Sequence, residues 1–157
     1  MIGTIGGRSN QFLELPPANG ISVSNPALSM SWQHHARFYP GNNETEITLF
    51  DNHALPVNGF DCTASFSRGL HLKVDTSNPA NMTVQILHEY LHPKGMLSQS
   101  QGCMQILDNG NVFIGVVEIQ HSRNILLMEN VSSPYNSHHG DPRLLMVMVW
   151  IITAHIA

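Results

Sequence analysis

Histidine dominates the reactive side chains of this sequence, at 10 of 157 residues. Imidazole titrates near neutral pH and serves as nucleophile, general acid–base or metal ligand. Three segments concentrate it. The first, His88-Glu89-Tyr90-Leu91-His92, is a literal H-E-x-x-H. On a helix that spacing puts two imidazoles on one face with a carboxylate aimed at a zinc-bound water, the arrangement of a zinc metallopeptidase. Its surroundings oppose a helix. Pro93 follows His92 and disfavours α backbone there, while Thr83-Val84-Gln85-Ile86 favours a strand. On a strand, positions four apart share a face but lie about 13 Å from each other, too far to chelate one ion. The third His of the longer zinc-protease pattern is replaced by Ser98.

The second segment is Trp32-Gln33-His34-His35-Ala36-Arg37. Arg with His suits an anionic oxyacid, because guanidinium offers a planar fork of donors. The same residues would also be unremarkable in an ordinary strand or loop. The third, His138-His139-Gly140-Asp141, reads as a solvated loop. Cys62 and Cys103 are too few for a disulfide framework, and sequence does not say whether they meet. No phosphate-cradling glycine loop and no G-x-S-x-G nucleophile elbow occurs.

The elements that must position these groups read as short strands. Only 11% of residues are charged, less than half of the roughly 25% usual for a soluble domain, which excludes a coiled coil. A net charge of −4 gives no electrostatic footprint for nucleic acid. Strand-like runs are Ile47–Phe50, Gly69–Asp75, Met82–Leu91, Cys103–Leu107 and Val112–Gly115, and Asp108-Asn109-Gly110 between the last two signals a hairpin. The apolar run Leu144–Ile152 shows neither strand alternation nor helix caps, and it is shorter than the ~20 residues of a membrane span. Three N-glycosylation sequons, at Asn43, Asn81 and Asn130, would suit a secreted chain, but composition alone yields about two. Met1–Gly7 lacks the features of a signal peptide. The expectation is an all-β fold.

Six blocks in order carry a more specific signal: Ile5–Phe12, Ser31–Phe38, Ile47–Asn52, Ser67–Leu70, Glu89–Pro93, and Ser100–Gly102 followed by Gln105–Gly115. Over roughly residues 2–115 they resemble the arylsulfotransferase (ASST) family, in the branch common in filamentous fungi. The resemblance implies a β-propeller of antiparallel four-stranded blades, six-bladed in the bacterial members, of which this chain would hold a part. It implies nucleotide-independent sulfuryl transfer between phenols through a sulfated histidine, a small phenolic or aryl sulfate ligand, no cofactor and no metal. It implies a secreted parent protein.

His34 matches an axial histidine of the family, and His121 lies near the position of the nucleophile. These two are the expected catalytic residues, with Arg37 and Arg68 as substrate-binding cations. His53-Ala54-Leu55-Pro56 stands where the bacterial enzymes have a glycine and soon after it an arginine. The upstream blades of the family, with another axial histidine, are expected to lie outside this chain. The expected division is a partial propeller over residues 1–115 and a divergent segment over 116–157. As a fragment the chain is expected to be inactive, since an incomplete ring cannot converge its axial side chains. A non-catalytic binding or scaffold propeller is the alternative, ahead of the zinc peptidase.

Overall fold

The computed structural model describes residues 3–41, 43–53, 66–92, 95–98, 100–119 and 145–152. Cys62, His121 and the His138–Asp141 cluster lie outside the described residues. The described residues hold eight strands: β1 (Phe12–Glu14), β2 (Gln33–Phe38), β3 (Glu46–Asp51), β4 (Arg68–Asp75), β5 (Met82–Leu91), β6 (Cys103–Ile106), β7 (Val112–Ile119) and β8 (Leu145–Ile152). Two short 3-10 turns, Ala18–Gly20 and Ala27–Ser29, are the only helical elements among the described residues. The chain is thus all-β, as its composition and alternation require.

Strands β2 to β5 form an up-and-down antiparallel meander, with β1 added in parallel on the outer side of β5. One face of this sheet is apolar. Leu49, Leu70, Leu72, Met82, Val84 and Ile86 are buried there against Phe12, Ala27 and Met30 of the N-terminal segment. Each fully buried aliphatic side chain contributes about 1.5–3 kcal/mol. The Glu14 carboxylate fastens the N-terminal segment by accepting the backbone N–H groups of Ala27 (2.5 Å) and Leu28 (3.0 Å), which open a 3-10 turn.

The opposite face carries His34, Arg37, Thr48, Phe50, Gly69, His71, His88 and Tyr90, as the cross-strand register requires. A second sheet, in the order β6-β7-β8, packs on this face through Met104, Val112, Ile114 and Val116 against Phe50. Gly69 permits the approach. A Cβ there would lie 3.0 Å from Met104 Sδ and 3.1 Å from Ile114 Cδ1.

The β6–β7 hairpin closes where Asp108-Asn109-Gly110 signals it. Gly110 alone of the three takes positive φ (81°), and Leu107 N–H bonds Asn111 O at 2.7 Å. The link is therefore a three-residue loop with a left-handed glycine, not a two-residue primed turn. Within the apolar run that sequence leaves without an element, Leu145–Ile152 pairs with β7 as β8.

Candidate functional site

Two bulges decide which side chains meet. Between β2 and β3 the register steps from His34↔Phe50 to Arg37↔Thr48, so His35 and Ala36 together oppose Leu49. On a regular strand, His34 and Arg37 would face opposite sides of the sheet. The extra residue puts both on the Phe50–Thr48 face. His35 absorbs the distortion with a φ of 57°, and its Nδ1 lies 2.9 Å from Met104 O on β6. Between β4 and β5 the register steps from Leu72↔Ile86 to His71↔His88, leaving Leu87 extra. Beyond it His88 lies beside His71, and Glu89 turns to the apolar face.

Below the sheet end on that apolar face is a buried ionic cluster. Arg68, 1% exposed, donates Nε–H to Asp51 Oδ2 (2.9 Å). One terminal nitrogen reaches Glu89 Oε1 (2.9 Å) and Asn25 O (2.6 Å). The other reaches Pro26 O (2.8 Å) and Ser29 Oγ (3.5 Å). All five guanidinium N–H groups therefore point at protein acceptors. Asp51 also receives the backbone N–H groups of Ser31 (2.9 Å) and His53 (3.0 Å), and its Oδ2 lies 3.3 Å from His53 Nδ1. Glu89 holds Ser24 through its N–H (2.7 Å) and hydroxyl (2.6 Å). The cluster binds the β-meander to the N-terminal segment.

On the other face, at the same end of the strands, a second polar network surrounds the fully buried Asn52. Its amide nitrogen donates to Ser98 O (3.0 Å) and Gln101 O (2.6 Å). Its backbone carbonyl accepts the Ser67 hydroxyl (2.6 Å), and Ser67 Oγ accepts Ser98 N–H (2.7 Å). Half-buried His34 turns Nδ1 toward Asn52 Oδ1 (2.7 Å) and Trp32 O (3.0 Å), and its Nε2 makes no hydrogen bond among the described residues. Exposed Arg37 likewise makes no hydrogen bond or ion pair among them.

Backbone strain gathers around His34. Trp32, His35, His53 and Gln101 all have φ between 51° and 59°, a region uncommon for residues with a Cβ and a genuine outlier for one as bulky as Trp. Each such residue costs on the order of 1–3 kcal/mol and persists only where its neighbours impose it, most often at functional sites.

The zinc pattern falls on a strand. His88 through Leu91 lie in β5 with His88 and Glu89 on opposite faces, and His92 lies just past its end. Among the described residues no three His, Cys, Asp or Glu side chains group as a metal site.

A family model described as Arylsulfotransferase (ASST) matches residues 17–123, about two thirds of the chain. The chain belongs to the arylsulfotransferase family. That stretch contains β2 through β7 and with them His34, Arg37, Asn52, Arg68 and Glu89. No curated protein and no solved structure matches the chain. Among the described residues no helix is long and apolar enough to cross a membrane.

Of the expected site residues, the fold brings His34 and Arg37 onto one face and places Arg68 on the other, inside the ionic cluster. Sequence reasoning assigned no role to Asn52 or Asp51, and gave Glu89 only that of the zinc-peptidase carboxylate. The signal was present for the first two, because Asp51-Asn52 closes one of the family-like blocks. For Glu89 it was masked by the H-E-x-x-H reading.

Proposed function

We propose that this chain is part of a fungal-type arylsulfotransferase propeller and that His34 and Arg37 engage the sulfuryl group of an aryl sulfate. In this reading β2–β5 are one blade, β6 and β7 open the next, and β2 is the inner strand. The carrying observation is the site on one sheet face: an imidazole anchored through Nδ1 and an arginine, with neither Nε2 nor the guanidinium engaged among the described residues. Arg37 supplies the cation that disperses charge on the sulfuryl oxygens. Arg68, whose donors are all occupied, holds the sheet end in shape.

The chemistry follows the family pattern. A histidine nitrogen attacks sulfur, the bond from sulfur to the aryl oxygen breaks, and the phenolate leaves. The sulfated histidine then passes its sulfuryl group to a second phenol. His121 is the proposed nucleophile and His34 the group that orients and polarises the sulfuryl. The chain by itself binds the ester without turning it over, because the two sheets of the described residues do not close a ring and leave the remaining axial groups unsupplied.

Calorimetric titration with 4-nitrophenyl sulfate, alongside nitrophenolate release with phenol as acceptor, tests this. Binding that His34→Ala abolishes, with no release, is expected. Binding indifferent to that substitution would overturn the site, and release abolished by it would overturn the inactivity. The non-catalytic scaffold reading has one observation in its favour. No arginine is found soon after the Phe50-Asp51-Asn52 block, where the bacterial enzymes carry one, and Arg68 does not replace it.

A further inference from the structure

We infer that Asn52 is a positioning residue that fixes the tautomer of His34, so that Nε2 is the nitrogen presented to a ligand. The inference rests on the proposed role of His34 only for its consequence; the geometry stands without it.

The argument runs through the amide. An Asn side chain has one acceptor end and one donor end, and which is which follows from its partners. Here one end of Asn52 faces two backbone carbonyls, Ser98 O at 3.0 Å and Gln101 O at 2.6 Å. Carbonyls only accept, so that end is the NH2 group. The other end, 2.7 Å from His34 Nδ1, must then be the oxygen. The second neighbour of Nδ1 is also a carbonyl, Trp32 O at 3.0 Å. With two acceptors and no donor before it, Nδ1 carries the proton and the lone pair of the neutral ring resides on Nε2. The partner of one ring nitrogen thereby sets the chemistry of the other.

Burial makes the device rigid. Asn52 is fully buried, and turning its amide over would set NH2 against Nδ1–H and oxygen against two carbonyls. Each mismatch leaves a buried polar group unsatisfied, at about 1–3 kcal/mol. The Ser67 hydroxyl ties the Asn52 backbone to Ser98, so the segment supplying the two carbonyls is itself held in place. A nucleophile, base or polarising group oriented through its far nitrogen is the general form of an activated imidazole.

The test reads the ring and not turnover. Nitrogen-15 NMR of the full chain with its rings neutral is expected to show His34 protonated on Nδ1. Modification by diethyl pyrocarbonate is expected to fall on Nε2. Asn52→Leu should lower the ratio of the two tautomers by about tenfold, the ratio one ordinary hydrogen bond sustains. Asn52→Asp keeps an acceptor for Nδ1–H and should retain the wild-type tautomer, a rescue that a merely structural role would not give. The wild-type tautomer and the site of modification keep the inference falsifiable should either variant fail to fold. A wild-type ring protonated on Nε2, a leucine variant with unchanged tautomer, or an aspartate variant that loses it would overturn the inference. None of these results depends on aryl sulfate binding, so the failure of one reading is distinguishable from the failure of the other.

Discussion

Arg37 and Arg68 lie on two faces of one sheet and show how little a residue's type says about its task. Arg68→Leu removes the charge between Asp51 and Glu89 and leaves two buried carboxylates without their partner. Breaking a buried pair this way costs about 3–5 kcal/mol, which urea denaturation would read as a large fall in midpoint. Arg37→Ala should leave stability within about 0.5 kcal/mol, as expected of an exposed position, and abolish aryl sulfate binding. An Arg68 variant of wild-type stability would contradict the ionic cluster.

His71 supplies a pH dependence of its own. It is buried, its Nε2 lies 2.7 Å from Glu46 Oε2, and its Nδ1 has no hydrogen-bond partner among the described residues. Burial pushes its pKa below the ordinary value of 6.5; the Glu46 carboxylate opposes that shift and His88 adds to it. The unfolded chain therefore binds a proton at a pH where the native protein does not. This stability is fully present above about pH 6.5 and is lost as pH falls toward the lowered native value. Urea midpoints measured from pH 8 to 5 should decline below about 6.5, and His71→Gln should flatten the decline. A decline unchanged by the substitution would remove His71 as its cause.

At the scale of elements, the sheet-to-sheet contact is open to a single test. Gly69→Val places methyl groups where Met104 and Ile114 already stand, and overpacking of this kind costs about 1–3 kcal/mol. Thermal unfolding would read the loss, and a variant as stable as wild type would mean that the two sheets do not meet there. Strands β3 to β7 were legible in the sequence, because alternation in Gly69–Asp75 and the β-branched run in β5 leave little choice of element, whereas β1 and β2 were not among the strand-like runs. The hairpin was legible too, with Gly110 as its one left-handed residue.

The bulges were not legible. Nothing in Gln33–Phe38 or Ile86–Tyr90 announces an extra residue, since a bulge is set by what the distorted strand packs against. Yet the first bulge puts His34 and Arg37 on one face, and the second sends Glu89 to Arg68 while leaving His88 beside His71. The apolar run Leu144–Ile152 was silent for another reason. Continuous hydrophobicity does not separate a strand from a helical segment, and only the pairing of Leu145–Ile152 with β7 distinguishes them.

For the molecule as a whole, the account joins a family shown by the match over residues 17–123 to a site seated on one sheet face. Its central claim is that the sulfuryl group meets His34 and Arg37 on that face, and not Arg68 on the other. Side-chain NMR during titration with 4-nitrophenyl sulfate tests this most directly. The account predicts saturable shifts of the His34 imidazole and Arg37 guanidinium signals, with Arg68 and Glu89 unmoved. Shifts centred on Arg68, or none at His34 at saturation, would contradict it.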